Sequence, residues 1–233
     1  MDLLTLFEKF QLTLKYHNKL NPKIWNGDKL KPDLVTKLLS TSKQFLKFSG
    51  VDQSRVKDVV FTGSNANFNF TKHSDIDCHI VCDVSGLDDN KLYKKKTEWT
   101  VKHPELKYEE YPLEFYVHDE KQHLPSDQGI YSLKTDSWLT KPVHLNNVKD
   151  IIDNPKLLAK AEKLETHIKQ LLKLPNDTKT HDMIMDLKMK FFKDRTAGLA
   201  KQGEFSEGNI LYKSMRNKGL IDKLNRKVRS IEV

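Results

Sequence analysis

Asp75 and Asp77 stand two positions apart at the head of an alternating run, and ten intervening residues separate them from the pair Gly63-Ser64. On a strand, residues i and i+2 point the same way with Cα atoms roughly 6.6 Å apart, so the two carboxylates could share or bridge a hard cation. A third acid, Glu114, falls on the polar side of a later alternation and would add another oxygen donor to the same wall. Glycine lets a backbone come close to an anion. The N–H groups of a turn, with the Ser64 hydroxyl, can then cradle phosphate oxygens. Carboxylates able to hold two cations about 4 Å apart, beside such a turn, fit phosphoryl or nucleotidyl transfer.

The elements that must hold these residues follow from hydrophobic periodicity. Val59, Val60 and Phe61 form a short apolar run closed by Thr62-Gly63-Ser64, which predicts a buried strand and a tight turn. In Asp75 to Asp83, Ile76, Cys78, Ile80 and Cys82 alternate with Asp75, Asp77, His79 and Val81, so one face is apolar and the other begins with the acids. Tyr111 to Asp119 alternates again, with Leu113, Phe115 and Val117 opposite Glu114, Tyr116 and His118. Residues 129–139, with a turn at Lys134-Thr135-Asp136, predict a hairpin.

Helical periodicity frames this strand-rich centre. An apolar stripe (Leu3, Leu4, Phe7, Phe10, Leu14, Tyr16) predicts a helix over 2–20, and a second runs from Asp33, as N-cap, to Phe48, with Gly50 beyond its end. Residues 87–103 read as a surface helix whose Lys94-Lys95-Lys96 run is a solvated face. Later segments over 155–173, 179–201 and 209–229 are amphipathic, the last as one helix bent at Gly219. The expected architecture is α+β, with a small mixed sheet, N-terminal helices and a helical C-terminal part, divided as 1–145 and 146–233.

Composition narrows the class. The 233 residues are 37% hydrophobic and 31% charged in mixed sign, which argues for a folded chain. Met1-Asp2-Leu3-Leu4 lacks a basic n-region, and no run approaches a membrane span of ~18 apolar residues, so the expectation is a cytoplasmic protein without a membrane partner. Cys78 and Cys82, four apart on a strand, lie roughly 13 Å from each other and cannot bridge. The net charge of +8 favours a polyanionic partner. Much of it gathers in residues 209–229, where Lys213, Arg216, Lys218, Lys223, Arg226, Lys227 and Arg229 face the single acid Asp222.

Gly63-Ser64, Asp75-Ile76-Asp77 opening a strand, and a later strand bearing Glu114 together resemble the nucleotidyltransferase fold of the DNA polymerase β superfamily. Leu20-Asn21-Pro22-Lys23-Ile24-Trp25, Phe61 to Phe68 and Ser74-Asp75-Ile76-Asp77 are similar, more narrowly, to predicted nucleotidyltransferases of tailed bacteriophages, which would place the protein in the host cytoplasm. The resemblance implies transfer of NMP from an NTP with magnesium, two ions or manganese in their stead. ATP is the expected donor, AMP the group moved, and RNA, including tRNA, or a protein the acceptor. Gly63 and Ser64 carry over as triphosphate-binding, Asp75 and Asp77 as metal ligands, and Glu114 as metal ligand or proton acceptor, with Glu109, Glu110 and Asp119 near it as alternatives. Lys213 is a further nucleotide-binding candidate on the basic segment. A cyclic or linear oligonucleotide synthase would use the same acids, and a catalytically silent binding module is a third class. His79 and His118 share the acids' faces and are read as structural histidines, while Tyr131 and Trp138 are read as core packing.

Overall fold

The computed structural model describes residues 12–122 and 128–232. These form two compact units, Lys15–His144 and a helical unit in which Leu145–Val233 is joined by the chain up to Leu14.

In the first unit, β1 (Trp25–Asn26) and β2 (Lys29–Leu30) make a small ribbon ahead of helix α1 (Pro32–Ser49). Strands β3 (Val56–Thr62) and β4 (Ile76–Cys82), helix α2 (Asp89–Lys102), and strands β5 (Lys107–Tyr108), β6 (Tyr111–Asp119), β7 (Ile130–Ser132) and β8 (Ser137–Thr140) follow. The six longer-range strands join in the order β5-β6-β4-β3-β7-β8. Among the described residues only β4 and β6 run parallel, and α2 is the crossover that such a pair requires. The predicted α+β class with a small mixed sheet is what the chain adopts.

Burial follows the alternation. Ile76, Cys78, Ile80 and Cys82 are each fully buried, while Asp77, His79 and Val81 between them are half-buried. Each of those isoleucines contributes roughly 1.5–3 kcal/mol through removal from water. α1 covers this apolar face, with Phe45 packed against Phe115 and the Ser42 hydroxyl 3.7 Å from Cys78 Sγ. Both cysteines are free thiols, and burial pushes Cys78 up to about 12, so it is an inert core group. α1 starts differently from the expectation: Lys31 is the N-cap and Pro32, with its preset φ, takes the first helical position. Asp33 instead lies in the first turn and accepts from the Tyr108 hydroxyl at 2.9 Å. Gly50 closes the helix at φ +74, the left-handed conformation expected there.

The helix expected over 2–20 falls partly on residues 1–11, which lie outside the described residues; residues 12–20 are not helical. His17 explains part of this. Its N–H donates to Phe68 O at 2.7 Å and its ring stacks on Phe70, which ties this segment to residues 68–70.

The second unit contains α3 (Val148–Ile152), α4 (Pro155–Lys173), α5 (Thr178–Gln202), α6 (Glu207–Asn217) and α7 (Leu220–Ile231). The caps are those the sequence chemistry favours: Asn154 accepts from Lys156 N and Leu157 N, and Asp177 from Thr180 N. Ala161, Ile168, Ile184, Met215 and Leu224 form its fully buried centre, and Leu12 joins them. The single bent helix expected over 209–229 is two helices. Gly219 adopts φ +68 and ends hydrogen-bonding continuity, so α6 and α7 are separate. No helix among the described residues is long and apolar enough to cross a membrane.

One buried ion pair anchors α6. Glu204 pairs with Lys213, both with side chains about a tenth exposed, and Asn209 bridges Glu204 to Arg195. Burial opposes the charged form of Glu204, but Lys213 and Arg195 outweigh it and hold the carboxyl below its usual range. A depressed folded-state pKa means stability that is present above the unfolded-state value and is lost as pH falls through the folded one. Glu204→Gln is therefore expected to cost about 3 kcal/mol at pH 7, where it strands Lys213. The deficit relative to wild type should begin to narrow below about pH 4.5, where the unfolded-state carboxyl protonates, and go on narrowing toward the lower native value. Denaturant melts of both proteins at pH 7 and pH 3.5 check the sign, and a deficit that does not shrink refutes it.

Candidate active site

The register of three strands assembles the acids. Thr62 on β3 pairs with Asp77 on β4, and Asp77 pairs in turn with Glu114 on β6. Asp75 precedes β4 by one residue, so the parallel β4–β6 pairing brings Glu114 to the end of the strand where both aspartates lie. Oxygen atoms of Asp75, Asp77 and Glu114 all fall within 4.8 Å of one another, and the three side chains are half-buried. An all-carboxylate donor set of this spacing suits a hard divalent cation held by oxygen.

Gly63 brings a backbone turn against this cluster. Its φ of +83 is open to glycine, and a Cβ there would lie 2.1 Å from Asp77 Oδ2. Immediately after it, Ser64–Ala66 forms a 3-10 turn. The Ser64 hydroxyl donates to Ser74 Oγ at 2.8 Å, and Ser74 Oγ accepts from Thr71 N. Asn65 Nδ2 donates to Asp75 O at 2.8 Å, while its own Oδ1 accepts from Asn21 Nδ2 and its carbonyl from Trp25 Nε1. The turn and the first aspartate are thus one hydrogen-bonded assembly reaching back to the Asn21–Trp25 stretch.

Lys96 and Tyr116 also engage Glu114, and the sequence pattern gives neither of them a role at the site. Lys96 Nζ lies 2.9 Å from Glu114 Oε2 and 4.6 Å from the centre of the Tyr116 ring. The Tyr116 hydroxyl donates to the same Oε2. Burial, then the nearby Asp77 and Glu114 charges, raise Tyr116 well beyond the usual phenol range, so it stays a donor. His79 stacks on Tyr116 at 4.9 Å and, pushed down to about 4 by burial and by His118, is neutral. Its Nδ1 is buried without a partner among the described residues, in keeping with a packing role.

Lys96 corrects the reading of Lys94-Lys95-Lys96 as a solvated face. Lys94 is exposed, but Lys96 shares a helix face with Leu92 and Trp99, at spacings of four and three, and that face turns toward β6. The spacing was a usable signal, masked by the run of like charges. Tyr131 and Trp138 are packed as expected: Tyr131 is fully buried and Trp138 stacks on Trp25 at 4.6 Å. Lys213 lies in the helical unit on Glu204. Nearby in sequence, Lys218 pairs with Glu165 and Lys227 donates to Leu174 O and Asn176 Oδ1, so part of the basic segment is engaged within its own unit. A cavity of about 730 Å³ lies among α4, α5 and α6, and none of the three acids lines it.

Comparison with known proteins agrees with this geometry. Residues 39–128, which include β3, β4 and β6, match the family model for the nucleotidyltransferase domain. That match supports the resemblance to the polymerase β superfamily drawn from the motifs. No curated protein matches the chain. Among solved structures, a STING-associated CdnE c-di-GMP synthase from Capnocytophaga granulosa is similar at 12% identity over 87% of this chain and 82% of that one. Its TM-score of 0.20 is too low to bear on fold or function.

Proposed function

We propose that the protein is a metal-dependent nucleotidyltransferase that moves NMP, with ATP as donor and AMP as the transferred group, onto an acceptor hydroxyl, with RNA the favoured acceptor class. The observation that carries this reading is the convergence of Asp75, Asp77 and Glu114 beside the Gly63 turn, with oxygens within 4.8 Å. The donor set fits magnesium or manganese, and such an ion, when bound, lowers the pKa of an attacking hydroxyl and neutralises triphosphate charge.

The chain's own groups divide the remaining work. The Gly63–Ser64 turn would grip the β- and γ-oxygens through its N–H groups, and the Ser64–Ser74 hydrogen bond ties that turn to the residue before Asp75. Asp75 and Asp77 are the ligand pair, and Glu114, directly across from Asp77, serves as third ligand or accepts the acceptor's proton. Lys213, in the helical unit, stays a nucleotide-binding candidate, with its charge shared with Glu204. The net charge of +8 supports a polyanionic acceptor.

The test is incubation of the full chain with each labelled NTP and magnesium, with and without a pool of RNA. Label on RNA, strongest from ATP, is the expected result. A new dinucleotide formed without acceptor would replace this reading with an oligonucleotide synthase. No NTP binding at millimolar concentration would replace it with a catalytically silent module.

A further inference from the structure

We propose that Lys96 is a built-in counter-ion of the third carboxylate, holding Glu114 in the site and competing there with the incoming divalent cation. This rests on the metal reading above and adds to it a residue that sets metal affinity.

Three carboxylates within 4.8 Å of one another repel strongly in a half-buried setting, where charge interactions are several-fold stronger than in bulk water. Lys96 brings a positive charge onto that cluster. It does so from a fixed base. Trp99, one turn further along α2, is 5% exposed and packs on Phe45 and Phe48 of α1, so the helix is docked and the lysine side chain need only span the gap to β6. Its ammonium is 2.9 Å from Glu114 Oε2, and both side chains are under a quarter exposed. The Tyr116 ring beneath the ammonium adds a cation–π contact at 4.6 Å, while the Tyr116 hydroxyl donates to the same carboxylate oxygen.

Two consequences follow from this geometry. Oε2 is held from α2 and β6 together, which orients the carboxylate before any cation arrives. A divalent cation drawn to the acids meets a positive charge already seated on one of them, and that charge weakens its binding. Lys96 thus acts on metal through Glu114; it is a positioning residue. Removing the charge while retaining the apolar stem should leave Glu114 held by Tyr116 and make the acidic cluster a stronger cation site.

The experiment is a manganese titration of the full chain, following free Mn²⁺ by its paramagnetic resonance signal, with thermal melts in chelator and at saturating Mn²⁺. Wild type, Lys96→Met, Lys96→Gln, Lys96→Arg, Lys94→Met and Asp77→Asn are compared. Lys96→Met and Lys96→Gln are expected to bind Mn²⁺ about 10-fold more tightly, from the lost repulsion, and to melt lower in chelator but not at saturation. Lys96→Arg should stay within about threefold of wild type because it keeps the charge, and Lys94→Met should not differ. Unchanged or weaker Mn²⁺ binding in both charge-free Lys96 variants, with Asp77→Asn still impaired, overturns the counter-ion role alone. Equal binding by wild type and Asp77→Asn, or none by wild type, overturns the metal reading and this proposal with it.

Discussion

Asp77→Asn is expected to lower nucleotidyl transfer on the order of 10³-fold or more while the protein keeps its fold. Asparagine has nearly the same shape, so the β4 backbone and its pairing with Thr62 and Glu114 need not change. What changes is charge. A neutral amide is a poor ligand for a hard cation, and the site would keep two of its three carboxylates. Asp77 also lies between Thr62 and Glu114, with Gly63 against its Oδ2. Transfer of labelled NMP under single-turnover conditions, beside a melting curve for each protein, checks the expectation. Wild-type turnover in the mutant would remove the acids from the mechanism and leave the site without a chemical role.

Much of this site was readable from the chain because strand periodicity and motif spacing report the same thing. Alternation in Ile76–Cys82 and Tyr111–Asp119 assigns Asp77 and Glu114 to polar faces, and both strands are found with those faces. Register is another matter. That Asp77 lies directly across from Glu114 depends on parallel pairing and on the reach of α2, neither of which is encoded in local pattern. Lys96 was missed for a related reason. A lysine run looks solvated until its helix has a docking face, and that face is set by Trp99 on Phe45 and Phe48.

The break at Gly219 was half legible. The apolar spacing continues from Ile210 to Val228 across it, and only the left-handed φ of the glycine shows that the hydrogen-bond ladder stops. Asp33 shows local chemistry yielding to context. Its side chain could cap a helix, but Pro32 ahead of it fits the first helical position and Tyr108 takes the carboxylate as acceptor.

The second large effect concerns Gly63, where two costs that usually travel together can be separated. Gly63→Ala must adopt φ +83, a strained conformation for an L residue, and must also place a methyl group 2.1 Å from Asp77 Oδ2. Gly50, at φ +74 and ψ +23, lies in the milder left-handed helical region, unlike Gly63 at ψ −165, and a Cβ there would meet nothing within 4 Å. Gly50→Ala is therefore expected to lose about 1–2 kcal/mol of stability from strain while transfer is unchanged. Gly63→Ala should lose at least as much, and in addition about 100-fold in transfer, because relief of the contact displaces the Asp77 carboxylate or the turn by an amount that misaligns the reactants. Denaturant melts and single-turnover rates on the two variants make the comparison. If Gly63→Ala matched Gly50→Ala in both measurements, the close approach of the turn to Asp77 would have no part in catalysis. The triphosphate would then have to be held by another segment of the chain.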